Sequence, residues 1–386
     1  MDFSLGEKSD AFRAEVRAFL DLHLTPEVMA RSRATGTMHD WEFHRALASQ
    51  GWIAAGWPVE YGGQGRDSFE MLALLEELKA RRAPVDGMII TMMVAQVIRH
   101  LGTEAQKRSI IPRAIGGEIV ICLGYTEPEA GSDVAAVRTT AVRDGDNWVV
   151  NGQKMFTTMA HVSDYVFLLT RTNPNVEKHR GLTLFLVPID TPGIQIEPIY
   201  TIGGVRTNVT YYSEVVVADS CRVGDIDGGW RVMTTALTYE RSGGAENVYA
   251  LERAVEAARR MTSDDGRPLL EDPAVLDRLA RVAIDCEVSK LLAYRSHWVD
   301  STGALASVEG SMHKLFSAES EVRAASDLVD IFGALGILEL DDPEAPAGGE
   351  LALEFRHSII LPIYGGSSEV QRKIIAERHL GLPRTR

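Results

Sequence analysis

The feature that most constrains this chain is a change of periodicity in its middle third that reverses further on. From about residue 119 to 222, short runs rich in β-branched and aromatic residues follow one another: NWVVNG, DYVFLLTR, LTLFLVPI, IQIEPIY and TYYSEVVVA. Turn formers separate them, among them Asp144-Gly145-Asp146 and Asn173-Pro174-Asn175. On both sides the spacing is helical instead. Phe12, Val16, Phe19 and Leu20 fall on one helix face. Gly51 to Gly65 reads as a Gly-rich loop, and helical texture resumes at Ser68 and again near Gly87. Beyond the β zone, Asp272-Pro273 is an N-cap followed by proline in the first turn. Val275, Leu279, Val282 and Cys286 continue that helix. A second long helix is expected from about Glu309 to Phe332, stopped by Gly333 and Gly336, with a surface loop over Asp341 to Gly349. The expected fold is therefore α+β in three zones: helices over 1–118, an antiparallel β domain (a small barrel or sandwich) over 119–222, and helices over 223–386. Such an order favours a ligand cleft between domains.

Bulk properties narrow the function. The chain has 386 residues, 45% apolar and 24% charged, enough for two or three packed units. No run of about 18 apolar residues exists, so no membrane helix is expected. The N-terminus lacks a basic segment followed by an apolar one, which predicts a cytoplasmic protein without a signal peptide. Cys122, Cys221 and Cys286 lie far apart and read as reduced, buried thiols, with no metal site. A formal charge of −14 argues against nucleic acid, whose phosphates need clustered Lys and Arg.

Two short segments carry candidate chemistry. Gly124-Tyr125-Thr126-Glu127-Pro128-Glu129-Ala130-Gly131-Ser132-Asp133 lies where the first helical zone meets the β zone. Pro128 fixes a turn, and Gly131 lets backbone come close to a ligand. Asn151-Gly152-Gln153-Lys154-Met155-Phe156-Thr157-Thr158 offers an aromatic ring and hydroxyls that suit a flat heterocycle. Taken singly, each reads more readily as an ordinary turn, the second leading into a strand with a core Phe.

Together, YTEPEAGSD, NGQKMFTT about twenty residues later and IYGGSSEVQR near the C-terminus resemble the acyl-CoA dehydrogenase family, as does the loop GWPVEYGGQG. The resemblance spans nearly the whole chain in matching order. It implies an N-terminal helical domain, a middle β domain, a C-terminal four-helix bundle and FAD as cofactor. By the same resemblance, Leu123, Tyr125 and Thr126 contact the flavin, and Gly131 and Ser132 lie near the FAD pyrophosphate and the thioester. Phe156 lies against the isoalloxazine, Thr158 bonds near its N5, and Ser367 and Glu369 face the adenosine.

The implied reaction needs a carboxylate to remove the α-proton of an acyl-CoA while the flavin takes hydride from Cβ. Most members carry Glu directly after the Tyr of the C-terminal motif; here Tyr364 is followed by Gly365. Thr238-Tyr239-Glu240-Arg241 resembles the helical segment from which isovaleryl-CoA and long-chain members supply their base. Glu240 is therefore expected as general base, with a pKa raised by a dry pocket. Arg241 is expected to orient the site, and the Gly365 N–H to hold the thioester carbonyl.

Two family features are missing. The Arg-x-x-Phe-Gly that reaches a neighbouring subunit's FAD reads Thr262-Ser263-Asp264-Asp265-Gly266, and the Gln of Gln-x-x-Gly-Gly-x-Gly is Asp330. A homotetramer is expected slightly ahead of a heterotetramer in which a paralogous subunit completes the flavin site, as in sterol-degrading actinobacterial members. Electron-transfer flavoprotein is the expected acceptor. An oxygen-reactive acyl-CoA oxidase or monooxygenase of the same fold, and a non-catalytic structural subunit, are the alternatives. The small Ser242, Gly243 and Gly244 suit a pocket widened for a branched, long or steroid-side-chain acyl group, or equally close helix packing.

Overall fold

The structure, a computed structural model, describes residues 4–239, 248–263, 265–303 and 307–383. Six helices come first: α1 (Glu7–His23), α2 (Pro26–Thr35), α3 (Trp41–Ser49), α4 (Ser68–Ala80), α5 (Asp86–Leu101) and α6 (Glu104–Ile115). Their ends follow local chemistry. Asp67 and Thr103 form capping boxes with Glu70 and Gln106, and Thr25 caps α2 ahead of Pro26. Phe12, Val16, Phe19 and Leu20 are buried against Phe43, Leu47, Trp52, Leu74 and Leu78, as the spacing predicts.

Eight strands follow: β1 (Ile121–Gly124), β2 (Thr140–Asp144), β3 (Asn147–Lys154), β4 (Tyr165–Arg171), β5 (Leu182–Pro188), β6 (Ile194–Tyr200), β7 (Arg206–Ala218) and β8 (Arg222–Val223). The sheet runs β6-β7-β3-β2-β4-β5-β8, with β1 beside β4. It departs from the expected all-antiparallel pattern: β1 pairs with β4 in parallel, and β2 touches β4 in parallel only at Thr140–Arg171. The two halves joined at that point share one interior. Trp148 and Val150 of β3 meet Phe185 and Val187 of β5, with the Trp148 and Phe185 rings 5.6 Å apart. The β3–β7 ladder carries a bulge between Val150 and Gly152 whose extra residue lies on β7, where Glu214 takes φ 50; Gly152 has φ 150, and a Cβ there would lie 2.5 Å from the Thr139 hydroxyl oxygen.

The strands β4 and β5 are buried on both faces, so they read as continuous apolar runs. Val166, Leu168, Phe185 and Val187 face the sheet interior. Phe167, Leu169, Leu182, Leu184 and Leu186 face α5, α6 and a helix from the third zone, α7 (Gly229–Tyr239). Although it lies in the third zone of the sequence, α7 packs in this central core through Val232, Met233 and Ala236.

The remaining helices are α8 (Val248–Ala258), α9 (Pro273–Ser301), α10 (Ser307–Asp330), α11 (Glu350–Ser358) and α12 (Ser368–Arg378). Asp272 caps α9 by accepting from the Ala274 N–H. Residues of α8, α9, α10 and α11 share the C-terminal core. Asp341 to Gly349 is not wholly a surface loop, since Pro346 and Gly349 are buried. Cys122 and Cys286 are buried free thiols, whereas Cys221 is half-buried.

Candidate functional site

Everything at the candidate site is organised around a turn after β1. Glu127 and Ala130 exchange backbone hydrogen bonds, which closes the turn containing Pro128. Gly131 and Ser132 stand exposed beyond it, and a Cβ on Gly131 would meet nothing within 4 Å. Leu123 is half-buried in β1, and the Tyr125 ring is buried near Phe167. Tyr125 therefore offers a ligand its backbone rather than its ring. The chain that leaves the turn is fastened by Arg171, whose guanidinium donates to the carbonyls of Ala135, Val137 and Lys178.

This turn is tied to the end of β3 through a buried ion pair that the sequence reading did not single out. Lys154 Nζ lies 2.7 Å from Glu127 Oε1 and also donates to the Tyr125 carbonyl at 3.2 Å. The Lys154 side chain is 0% exposed and that of Glu127 8%. The Glu127 carboxylate further accepts from the Arg138 N–H at 2.6 Å and the Thr139 N–H at 2.9 Å. Burial alone would push the Glu127 carboxyl up; the Lys154 charge and these hydrogen bonds overcome it and hold it below the usual carboxylate range. Burial pulls the Lys154 ammonium down to about 8, with Glu127 opposing. A signal was present in the sequence: Trp148, Val150 and Lys154 share parity along β3, so period-two counting turns Lys154 inward with the two core residues.

Next to this pair, the Met155 N–H donates to the Thr126 carbonyl at 2.8 Å. Phe156 then takes a left-handed backbone, φ 55, and presents its ring 55% exposed. Such a backbone is uncommon for a bulky residue and persists only where its surroundings impose it. Those surroundings are specific. Asn208 of β7, 0% exposed, donates from Nδ2 to the Thr157 carbonyl, and the Thr157 N–H donates back to the Asn208 carbonyl at 2.9 Å. The Thr158 hydroxyl lies 3.0 Å from that of Thr207.

His161 extends the scaffold to the helical domain. The Arg206 guanidinium donates to Asn208 Oδ1, so Asn208 Nδ2 faces His161 Nδ1 as donor at 3.1 Å. His161 Nε2 then donates to the Thr35 carbonyl at 3.1 Å, which fixes a neutral ring with its proton on Nε2. Burial holds this imidazole below its ordinary pKa.

The C-terminal candidates sit on the connection between α11 and α12. Gly365 has φ 63, a conformation that suits glycine. Gln371 Nε2 donates to the carbonyls of Gly365 and Gly366 and pins the bend. Ser367 caps α12 by accepting from the Val370 N–H, and Ser367 and Glu369 line a concavity of about 430 Å³ with Glu319 and Arg323 of α10. Helix α11 is fastened to the turn between β6 and β7: Arg356 donates to the Ile202 carbonyl, and Gly203 lies against His357. Thr207, the partner of Thr158, starts just beyond that turn. The structure thus brings Thr126 to the Phe156–Thr158 segment directly, whereas Gly365, Ser367 and Glu369 stand on a separate segment after α11, against α10.

Glu240 and Arg241 lie outside the described residues. Asp330 is described: its carboxylate pairs with Arg278 at 3.0 Å, beside an Arg278–Asp327 pair at 2.6 Å. The segment after α8 forms a tight turn in which Ser263 and Arg267 are hydrogen-bonded and Arg267 is held by Asp265 at 2.8 Å.

Compared with known proteins, the chain matches the acyl-CoA dehydrogenase N-terminal domain over residues 6–118, the middle domain over 122–217 and the C-terminal domain over 227–380. It is 36% identical to acyl-CoA dehydrogenase FadE26 of Mycobacterium tuberculosis, over 100% of this chain and 99% of the relative. Among solved structures, the ChsE4–ChsE5 complex from Mycobacterium tuberculosis superposes with a TM-score of 0.91 at 35% identity, covering 100% of both chains. The Tcur3481–Tcur3483 steroid ACAD superposes with a TM-score of 0.90 at 35% identity, covering 99% of this chain and 100% of that one.

Proposed function

The chain belongs to the acyl-CoA dehydrogenase family of flavoprotein oxidoreductases acting on CH–CH bonds, and we propose that it introduces a trans Cα=Cβ bond into an acyl-CoA whose acyl group is bulky and steroid-like. The observation that carries the reading is Phe156: an apolar ring exposed on an imposed left-handed backbone, beside a hydroxyl at Thr158, on a segment bonded through the Met155 N–H to the Thr126 carbonyl. An exposed ring held this rigidly fits the seat of a flat heterocycle. The residues present therefore fit FAD, with Leu123, Tyr125 and Thr126 contributing backbone and hydroxyl, Phe156 and Thr158 lining the ring, and Ser367 and Glu369 toward the adenosine. Bound there, FAD supplies the hydride acceptor. Glu240 takes the α-proton, Arg241 orients the site, and the Gly365 N–H donates to the thioester carbonyl as charge develops on it. The steroid-like acyl group is inferred from the name of the Tcur3481–Tcur3483 relative. Electron-transfer flavoprotein is the proposed acceptor; rapid peroxide formation in air would point instead to an oxidase.

Replacing Glu240 with Gln tests the base. The variant should bind FAD as the wild type does, yet lose substrate-induced bleaching of the flavin band, with turnover falling about 10²- to 10⁴-fold. Full bleaching in the variant would remove Glu240 from the mechanism.

A second reading concerns assembly. Asp330 presents a carboxylate, paired with Arg278, where the family has a neutral Gln, and Arg267 pairs with Asp265 in the 262–267 turn. Two of the solved relatives are named as two-protein assemblies. These observations favour a heteromer with a paralogous subunit over the homotetramer. Flavin per chain in the protein purified alone decides: near-full occupancy rejects the heteromer.

A further inference from the structure

The buried pair of Lys154 and Glu127 fastens both segments of the proposed flavin seat at once. Lys154 stands at the end of β3, two residues before Phe156. Its ammonium holds the Tyr125 carbonyl and the Glu127 carboxylate on the other segment. Glu127 in turn holds the Arg138 and Thr139 N–H groups, where the chain leaves the turn that carries Gly131 and Ser132. The Thr139 hydroxyl closes the circuit by donating to the Gln153 carbonyl at 3.2 Å. Each bond of this circuit runs between the 125–139 segment and the end of β3, or within the 125–139 segment. With the Lys154 side chain 0% exposed, no bound molecule touches it.

Burying two charges is costly, and an apolar pair of similar volume often stabilises a fold as well or better. A polar circuit is retained where several backbone groups must be held at one spacing, because its hydrogen bonds are directional. Here the spacing held is that between the exposed Gly131–Ser132 tip and the Phe156 ring.

We propose that Lys154 and Glu127 are positioning residues for the cofactor, setting the distance between the 123–132 loop and the 156–158 segment and thereby the seat of the flavin ring. This inference rests on the flavin reading of the site. Lys154 acts only through the Tyr125 carbonyl and Glu127, and Glu127 through the backbone at 138 and 139.

The test uses the protein in its natural assembly, stripped of flavin and titrated with FAD. The variants are K154M and the double variant E127Q/K154M, which leaves no lone buried charge. In both, the dissociation constant for FAD should rise at least tenfold. The visible circular dichroism of the bound flavin should change shape, while the double variant keeps the far-ultraviolet spectrum and melting behaviour of the wild type. A folded double variant that binds FAD with wild-type affinity and an unchanged visible spectrum overturns the proposal and confines the pair to a structural role. If the wild-type assembly itself takes up no FAD, the reading beneath the proposal fails first, and that result is distinct from the variant result.

Discussion

His39 and His44 pack edge to face in the first helical domain, ring centroids 5.1 Å apart and planes at 65°, and among the described residues neither ring is hydrogen-bonded. Both are almost fully buried, at 3% and 1% exposure, and Trp41 packs edge-on against each. Burial holds His39 down to about 4 and His44 to about 3; Asp40 opposes the shift at His39, and Arg45 reinforces both. These folded values lie below the unfolded one. The stability they represent is complete above about pH 6.5 and is lost as pH falls, because the unfolded chain takes up protons that the folded chain refuses. Near pH 5 the loss should be about 2 kcal/mol per ring. Melting temperature followed from pH 7 to 5 should fall steeply in the wild type and less steeply in a His44→Phe variant. Identical slopes in the two proteins would refute this assignment.

Phe156 separates stability from binding. Its ring is 55% exposed, so Phe156→Ala removes little buried surface and should shift unfolding free energy by no more than about 0.5 kcal/mol. The proposed stacking contact disappears, and FAD affinity should fall about 10- to 100-fold. Calorimetric titration of the flavin-free protein reads this directly; unchanged affinity would place the ring outside the flavin seat.

Asn208 should behave oppositely. Its amide serves the Thr157 carbonyl, His161 Nδ1 and Arg206 Nε from a fully buried position. Asn208→Leu keeps the volume but leaves those groups unpaired, at a cost of about 2–4 kcal/mol. Chemical denaturation should show a lower midpoint, and the Phe156 segment should gain amide hydrogen exchange. A midpoint unchanged from wild type would mean that water replaces the amide at no cost.

Much of the architecture was legible because periodicity is a local property. The α1 stripe, the Asp272-Pro273 start of α9 and the Asp144–Asp146 turn between β2 and β3 each follow from neighbours in sequence. What was not legible depends on residues far apart in the chain. The parallel pairing of β1 with β4 joins segments separated by more than forty residues, and no local pattern distinguishes it from an antiparallel one. The place of α7 in the central core was hidden for the same reason, since its apolar face fits a bundle as well as a sheet. At the site, the Gly-rich turn and the Phe156 segment stood out by composition. Asn208 and His161 did not, because a buried polar residue looks like a surface one until its partners are known, and Lys154 was marked only by its parity with Trp148 and Val150. Asp330 stood out only as a replacement for the family's Gln, and the structure pairs it with Arg278.

The double burial of β4 and β5 has a consequence for how this protein can be cut or recombined. The outer face of that strand pair is covered by α5 and α6 from before the β segment and by α7 from after it. Expressed alone, residues 119–222 would present Phe167, Leu169, Leu182, Leu184 and Leu186 to water as one contiguous greasy wall. The three zones are therefore not interchangeable modules. Swapping the central segment between homologues would require its helical neighbours to travel with it, and truncation at either zone boundary should yield insoluble material rather than a working fragment.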